Sequence, residues 1–104
     1  MTLLEFDAKL KETFADTYEM PAPKGKQRYV TWHRYGRGSV HGDDRNQVDA
    51  PKVQIDIVTN IPDDTLVDDI CAALWLMDLS YSVESEAYDD EYTAYRTILQ
   101  LVVI

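Results

Sequence analysis

Residues 51 to 77, Pro-Lys-Val-Gln-Ile-Asp-Ile-Val-Thr-Asn-Ile-Pro-Asp-Asp-Thr-Leu-Val-Asp-Asp-Ile-Cys-Ala-Ala-Leu-Trp-Leu-Met, constrain this chain's fold most, because their hydrophobic period changes partway along. Val53, Ile55 and Ile57 alternate with Gln54 and Asp56, the period of two of a half-buried strand. Asn60-Ile61-Pro62-Asp63 interrupts that period. Leu66, Val67, Ile70, Cys71, Leu74 and Met77 then fall within one arc of a helical wheel. A strand feeding an amphipathic helix buries both apolar faces when the helix packs back on the strand's sheet. Asp63 is the predicted N-cap, and Asp64 sits where the helix dipole favours a carboxylate.

The rest of the chain covers and extends this unit. Thr2 and Glu5 stand at capping-box spacing, and Leu3, Phe6, Leu10 and Phe14 follow at intervals of three and four, predicting a helix from about 3 to 15. The two prolines and the glycine of Met20–Lys26 make a connector. Arg28–Tyr35 is aromatic and β-branched and reads as a strand, with neither face plainly apolar. Gly36–Ala50 reads as a long loop, with Gly36, Gly38 and Gly42 as its breakers. Ser80–Ala87 alternates as a strand with one solvated face, Tyr88–Glu91 is a turn, and Tyr92–Val103 is the last strand. The expected fold is α+β, a single domain over 1–104 in the order α-β-β-α-β-β. It has a four-stranded, mostly antiparallel sheet with two helices packed on one face.

Charge is distributed unevenly along the chain. The formal net charge is −9, which disfavours specific nucleic-acid binding, since phosphate contacts need Lys and Arg. From Val53 to Tyr95 there are eleven acidic residues and no Lys or Arg, while Lys24–Lys52 holds seven Lys or Arg against three Asp. Either both regions are solvated faces, or one copy's basic region meets its neighbour's acidic one, a head-to-tail contact able to close a ring. No run reaches the length of a membrane span and nothing at the N-terminus resembles a signal peptide, so no membrane partner is expected. The lone Cys71 allows no internal disulfide and fits a reducing cytoplasm, or a particle assembled inside one.

No set of residues spells out catalysis, so no enzyme activity and no cofactor are expected. His33 and His41 near Asp43 and Asp44 match no recurring metal-ligand spacing. Asp63-Asp64 and Asp68-Asp69 are explained by capping and the dipole at a helix start. Cys71 lies on the apolar arc, as a small core residue does. Gly36-Arg37-Gly38 lacks the Gly-Lys-Ser/Thr of a phosphate loop. One feature stands apart. Trp75 and Leu76 point away from the Leu66/Ile70/Leu74 arc and, with Ala72, share a helix face with Asp68 and Asp69. That face is either a protein contact or the seat of the Met20–Gly25 connector. Trp32 and Tyr35 beside Arg34, Arg37 and, further on, Arg45 form a second candidate contact surface.

The layout of the N-terminal helix, Tyr29-Val30-Thr31-Trp32, the Val53–Met77 unit and the closing Ser82–Leu101 hairpin with its Tyr88-Asp89-Asp90 turn resembles the tail-terminator and tail-completion proteins of long-tailed bacteriophages and prophages, also known as neck or head-tail joining proteins. The resemblance spans nearly the whole chain. It implies a structural protein of the virion, assembled in the bacterial cytoplasm. Its expected state is a homo-oligomer, commonly a hexameric ring, between the major tail protein and the head connector proteins. It carries over no catalytic residues. The alternative from composition is a small acidic DNA mimic that inhibits a host nucleic-acid-binding protein.

Overall fold

A computed structural model describes the chain over residues 1–41 and 47–104, and its side chains over 1–37 and 50–104. The helix α1 is Leu3–Thr13, followed by the strands β1 (Thr17–Glu19), β2 (Tyr29–His41) and β3 (Gln47–Thr59). The helix α2 is Leu66–Leu76, and the strands β4 (Tyr81–Asp89) and β5 (Ala94–Val102) close the chain. The Thr2 capping box forms as predicted, with the Glu5 amide donating to Thr2 Oγ1 at 3.1 Å. The strands make one sheet in the order β1-β2-β3-β5-β4, antiparallel except for the β1–β2 pair.

Both helices lie on one face of this sheet. Phe6 and Leu10 of α1 and Leu66, Ile70 and Leu74 of α2 join Val30, Trp32, Val53, Ile55, Ile57, Leu99 and Leu101 in one buried cluster. The cluster draws on β2, β3 and β5, so the core sits over the three central strands and the two edges stay thin.

Among the described residues the sheet has five strands rather than the four expected. The extra one, β1, aligns Thr17–Glu19 with Val30–Trp32 of β2, and its three residues are too few to show a period. Thr17 is nonetheless fully buried, its hydroxyl donating to the Phe14 carbonyl at 2.6 Å.

The long loop expected over Gly36–Ala50 is instead mostly hairpin. β2 and β3 stay paired from Tyr29↔Val58 out to His41↔Gln47, past a bulge between Arg34 and Gly36. Ladder hydrogen bonds come from the backbone, so the glycines do not break them, and the bulge absorbs the change of phase. Arg45, His41's side chain, Asp43 and Asp44 lie outside the described residues.

The helix start also differs from expectation. Asp63 is not the cap: its φ of 55° places it in the left-handed region, a conformation Asp tolerates in turns. Thr65 occupies the cap position without a side-chain cap bond, and the Asp64 carboxylate accepts from the Leu66 amide at 3.1 Å instead. Asp64 does more than cap. Arg28 donates to it through Nε and Nη2 at 2.6 and 2.9 Å, and the Thr59 hydroxyl donates to it as well. Arg28 in turn lies over the Phe14 ring, 4.9 Å from its centroid. The guanidinium and the other donors hold the Asp64 carboxyl well below the usual carboxylate range, against the opposing effect of burial. One carboxylate thus ties the start of α2 to β2, β3 and the end of α1.

The fourth difference concerns β4. A strand with one covered face was expected, but eight of its nine residues are exposed. The buried cluster takes no residue from β4, so neither of its faces is sealed.

Candidate assembly interface

The outer face of α2 follows from helix geometry. With Leu66, Ile70, Ala73 and Leu74 turned to the core, Asp68, Asp69, Ala72, Trp75 and Leu76 are left on the solvent side. Trp75 is 81% and Leu76 85% exposed, and the Met20–Gly25 connector does not cover them. That connector crosses the opposite face of the sheet, over Tyr29, Thr31, Asp56 and Val58.

The end of α2 fixes how this face meets β4. Asp78 adopts φ 59°, its amide donates to the Trp75 carbonyl, and the Leu79 amide donates to the Leu74 carbonyl, both at 3.0 Å. This is a Schellman turn with Asp in the position that favours glycine. Buried Leu79 closes it, and the chain enters β4 two residues later. Trp75 therefore stands over the start of β4, where it lines a hollow of about 320 Å³ with Asp78, Leu79, Ser80 and Tyr81. The neighbouring Cys71 thiol, reinforced by partial burial, pushes the Tyr81 phenol above its ordinary pKa. Val83, next along the helix side of β4, is also exposed. The patch therefore runs from the last turn of α2 onto the edge strand. The sequence located its helical half. Its β4 half was hidden, because alternation signals a covered face without saying whether anything covers it.

Trp32 does not belong to any surface. It is 4% exposed, packs edge-to-face on Phe6 at 5.8 Å between ring centroids, and donates from Nε1 to Asp7 at 2.9 Å. The reason is the pleat: Val30 and Trp32 point to the helix side of β2, directly under α1. Tyr35, Arg34 and Arg37 are exposed around the bulge, and among the described residues the two arginines have no ion-pair partner. Lys26 and Arg28 are bound to Asp16 and Asp64.

The α2 set and the Arg34/Arg37 set do not meet within one chain. Sheet order separates β2 from β4 by three strand spacings, roughly 14 Å. The acidic α2–β4 side and the basic β2 side lie towards opposite edges of the sheet. Such an arrangement can serve as two halves of a contact between copies, or as two independent contacts.

Among the described residues no group of three or more His, Cys, Asp or Glu side chains could hold a metal ion. A broad cleft of about 670 Å³ opens on the face away from the helices, lined in part by Tyr29, Tyr92, Lys26 and Arg96.

No protein-family model matches the chain, and no curated protein matches it. Among solved structures, a chain of the "Virion of native gene transfer agent (GTA) particle" shares its fold with a TM-score of 0.52 and 15% sequence identity. The correspondence covers 96% of this chain and 87% of that one, so the two share the α+β architecture from end to end.

Proposed function

We propose that this chain is a structural subunit of a phage-like virion, acting by assembly and not by catalysis. The observation that carries the reading is the end-to-end correspondence with a chain of a gene transfer agent particle, 96% of one and 87% of the other. The unsealed α2–β4 patch supports it, because two neighbouring side chains more than four-fifths exposed suit a surface that a partner covers. Within the virion we place the chain at the neck, as a tail-terminator or head-tail joining subunit whose hexameric ring joins the tail tube to the head connector. A surplus of carboxylates suits a passage for DNA, since like charge keeps phosphates from adhering.

Quantitative mass spectrometry of purified particles from the source organism, compared with particles from a strain lacking the gene, tests this. A neck subunit appears at a ring's worth of copies per particle, and its loss leaves heads and tails unjoined. Absence from the particles, or normal joined particles without the gene, overturns the reading.

A further inference from the structure

We infer that copies of this chain join edge to edge, the outer edge of β4 in one copy pairing with the edge of β2 beyond Trp32 in the next. The inference rests on the reading of the chain as an assembling subunit and names the surfaces that assembly uses. Among the described residues β4 bonds only to β5, which leaves one side of its backbone without a described strand. β1 covers β2 only at Val30–Trp32, and from His33 onward the same side of β2 has no described strand. Unpaired edges are templates for another strand, and their charges decide which one.

β4 is deterred from pairing with a second β4. Glu84 and Glu86 lie on it, Glu84 in a bulge, and neither α2 nor β4 carries a Lys or Arg. Two such edges would set carboxylates against carboxylates. The open edge of β2 carries Arg34 and Arg37, exposed and without an ion-pair partner among the described residues. It is the complementary edge, and it belongs to the opposite side of the same sheet. A contact between unlike edges is heterologous, so each added copy leaves one edge of each kind until a ring closes. Trp75 stands over the start of β4 and supplies apolar area beside the incoming strand.

The test is sedimentation velocity of the full chain over a concentration series at low and high salt, with tryptophan fluorescence recorded alongside; Trp32 is already buried, so a change in emission reports Trp75. Association at low salt that weakens with salt and shifts Trp75 emission to the blue is expected. Glu84→Lys with Glu86→Lys, and separately Arg34→Glu with Arg37→Glu, should each weaken association about tenfold or more. Mixing the two variants should restore it, because each then offers the edge the other lacks. Thermal melts establish that both variants are folded. A wild-type chain that stays monomeric throughout overturns the inference, as do reversed variants that associate like wild type or a mixture that does not recover. Edge pairing can fail while the protein is still found in particles, and it can succeed when the protein is absent from them, so the two readings are separable.

Discussion

Replacing Asp64 should destabilise this protein more than its position in a loop would indicate. Asp64→Ala removes the acceptor of the Leu66 amide, a cap worth about 1 kcal/mol, and strands the Thr59 hydroxyl, at about 1 kcal/mol more. The two Arg28 hydrogen bonds are charge-assisted, but the Arg28 side chain is 36% exposed and can return to water, so their loss is discounted to about 1 kcal/mol. The sum, about 3 kcal/mol, corresponds to a Tm lower by roughly 12 °C for a chain of this size. Urea unfolding followed by circular dichroism reads the free energy, and the double-mutant cycle with Arg28→Met isolates the pair at about 1 kcal/mol. The pH dependence supplies an independent check. Because the folded-state pKa of Asp64 is depressed, its contribution is fully present above the ordinary carboxylate pKa, about 4, and is lost as pH falls through the lower folded value. The gap between wild type and Asp64→Asn should thus be constant near neutral pH and narrow below about pH 4. A loss under about 1 kcal/mol, or a gap that does not change with acid, would refute the role given to this carboxylate.

Three further outcomes follow from burial and backbone geometry. Trp32→Ala should cost about 3–5 kcal/mol, because it empties the space under α1 and breaks the Phe6 and Asp7 contacts, whereas Trp75→Ala should change monomer stability by about 0.5 kcal/mol or less. Denaturant unfolding of the two single variants, measured on dilute monomer, checks the contrast. Asp78→Gly should raise stability by about 0.5–1 kcal/mol, since glycine relieves the left-handed conformation at the end of α2, and a fall in Tm would contradict the turn assigned there. Thr2→Ala should lower stability by about 0.5–1 kcal/mol through loss of the capping box, and faster amide exchange in the first turn of α1 would localise the effect.

Local pattern determined much of this protein. The Thr2 capping box and the spacing of Phe6 and Leu10 defined α1, and the change of period across 51–77 placed β3, α2 and the core arc of Leu66, Ile70 and Leu74. Those features are carried by neighbours a few residues apart, and dihedral periodicity makes them readable. The outward direction of Trp75 and Leu76 was readable for the same reason. What tertiary structure alone decided depended on partners far along the chain. Trp32 lay on a strand without a plain apolar face, and Phe6 and Asp7 of α1 made it core. Gly36 and Gly38 signalled a loop, yet pairing with β3 kept β2 extended, because a ladder needs only a backbone partner. Three residues became β1 through β2, and Asp64 rather than Asp63 became the cap because Arg28, Thr59 and the Leu66 amide converge on it. Sheet order is the clearest case. The uneven charge was visible along the chain, but only the order β1-β2-β3-β5-β4 set the exposed arginines and the carboxylates of β4 towards opposite edges, since strand neighbours are fixed by long-range pairing that no local period encodes.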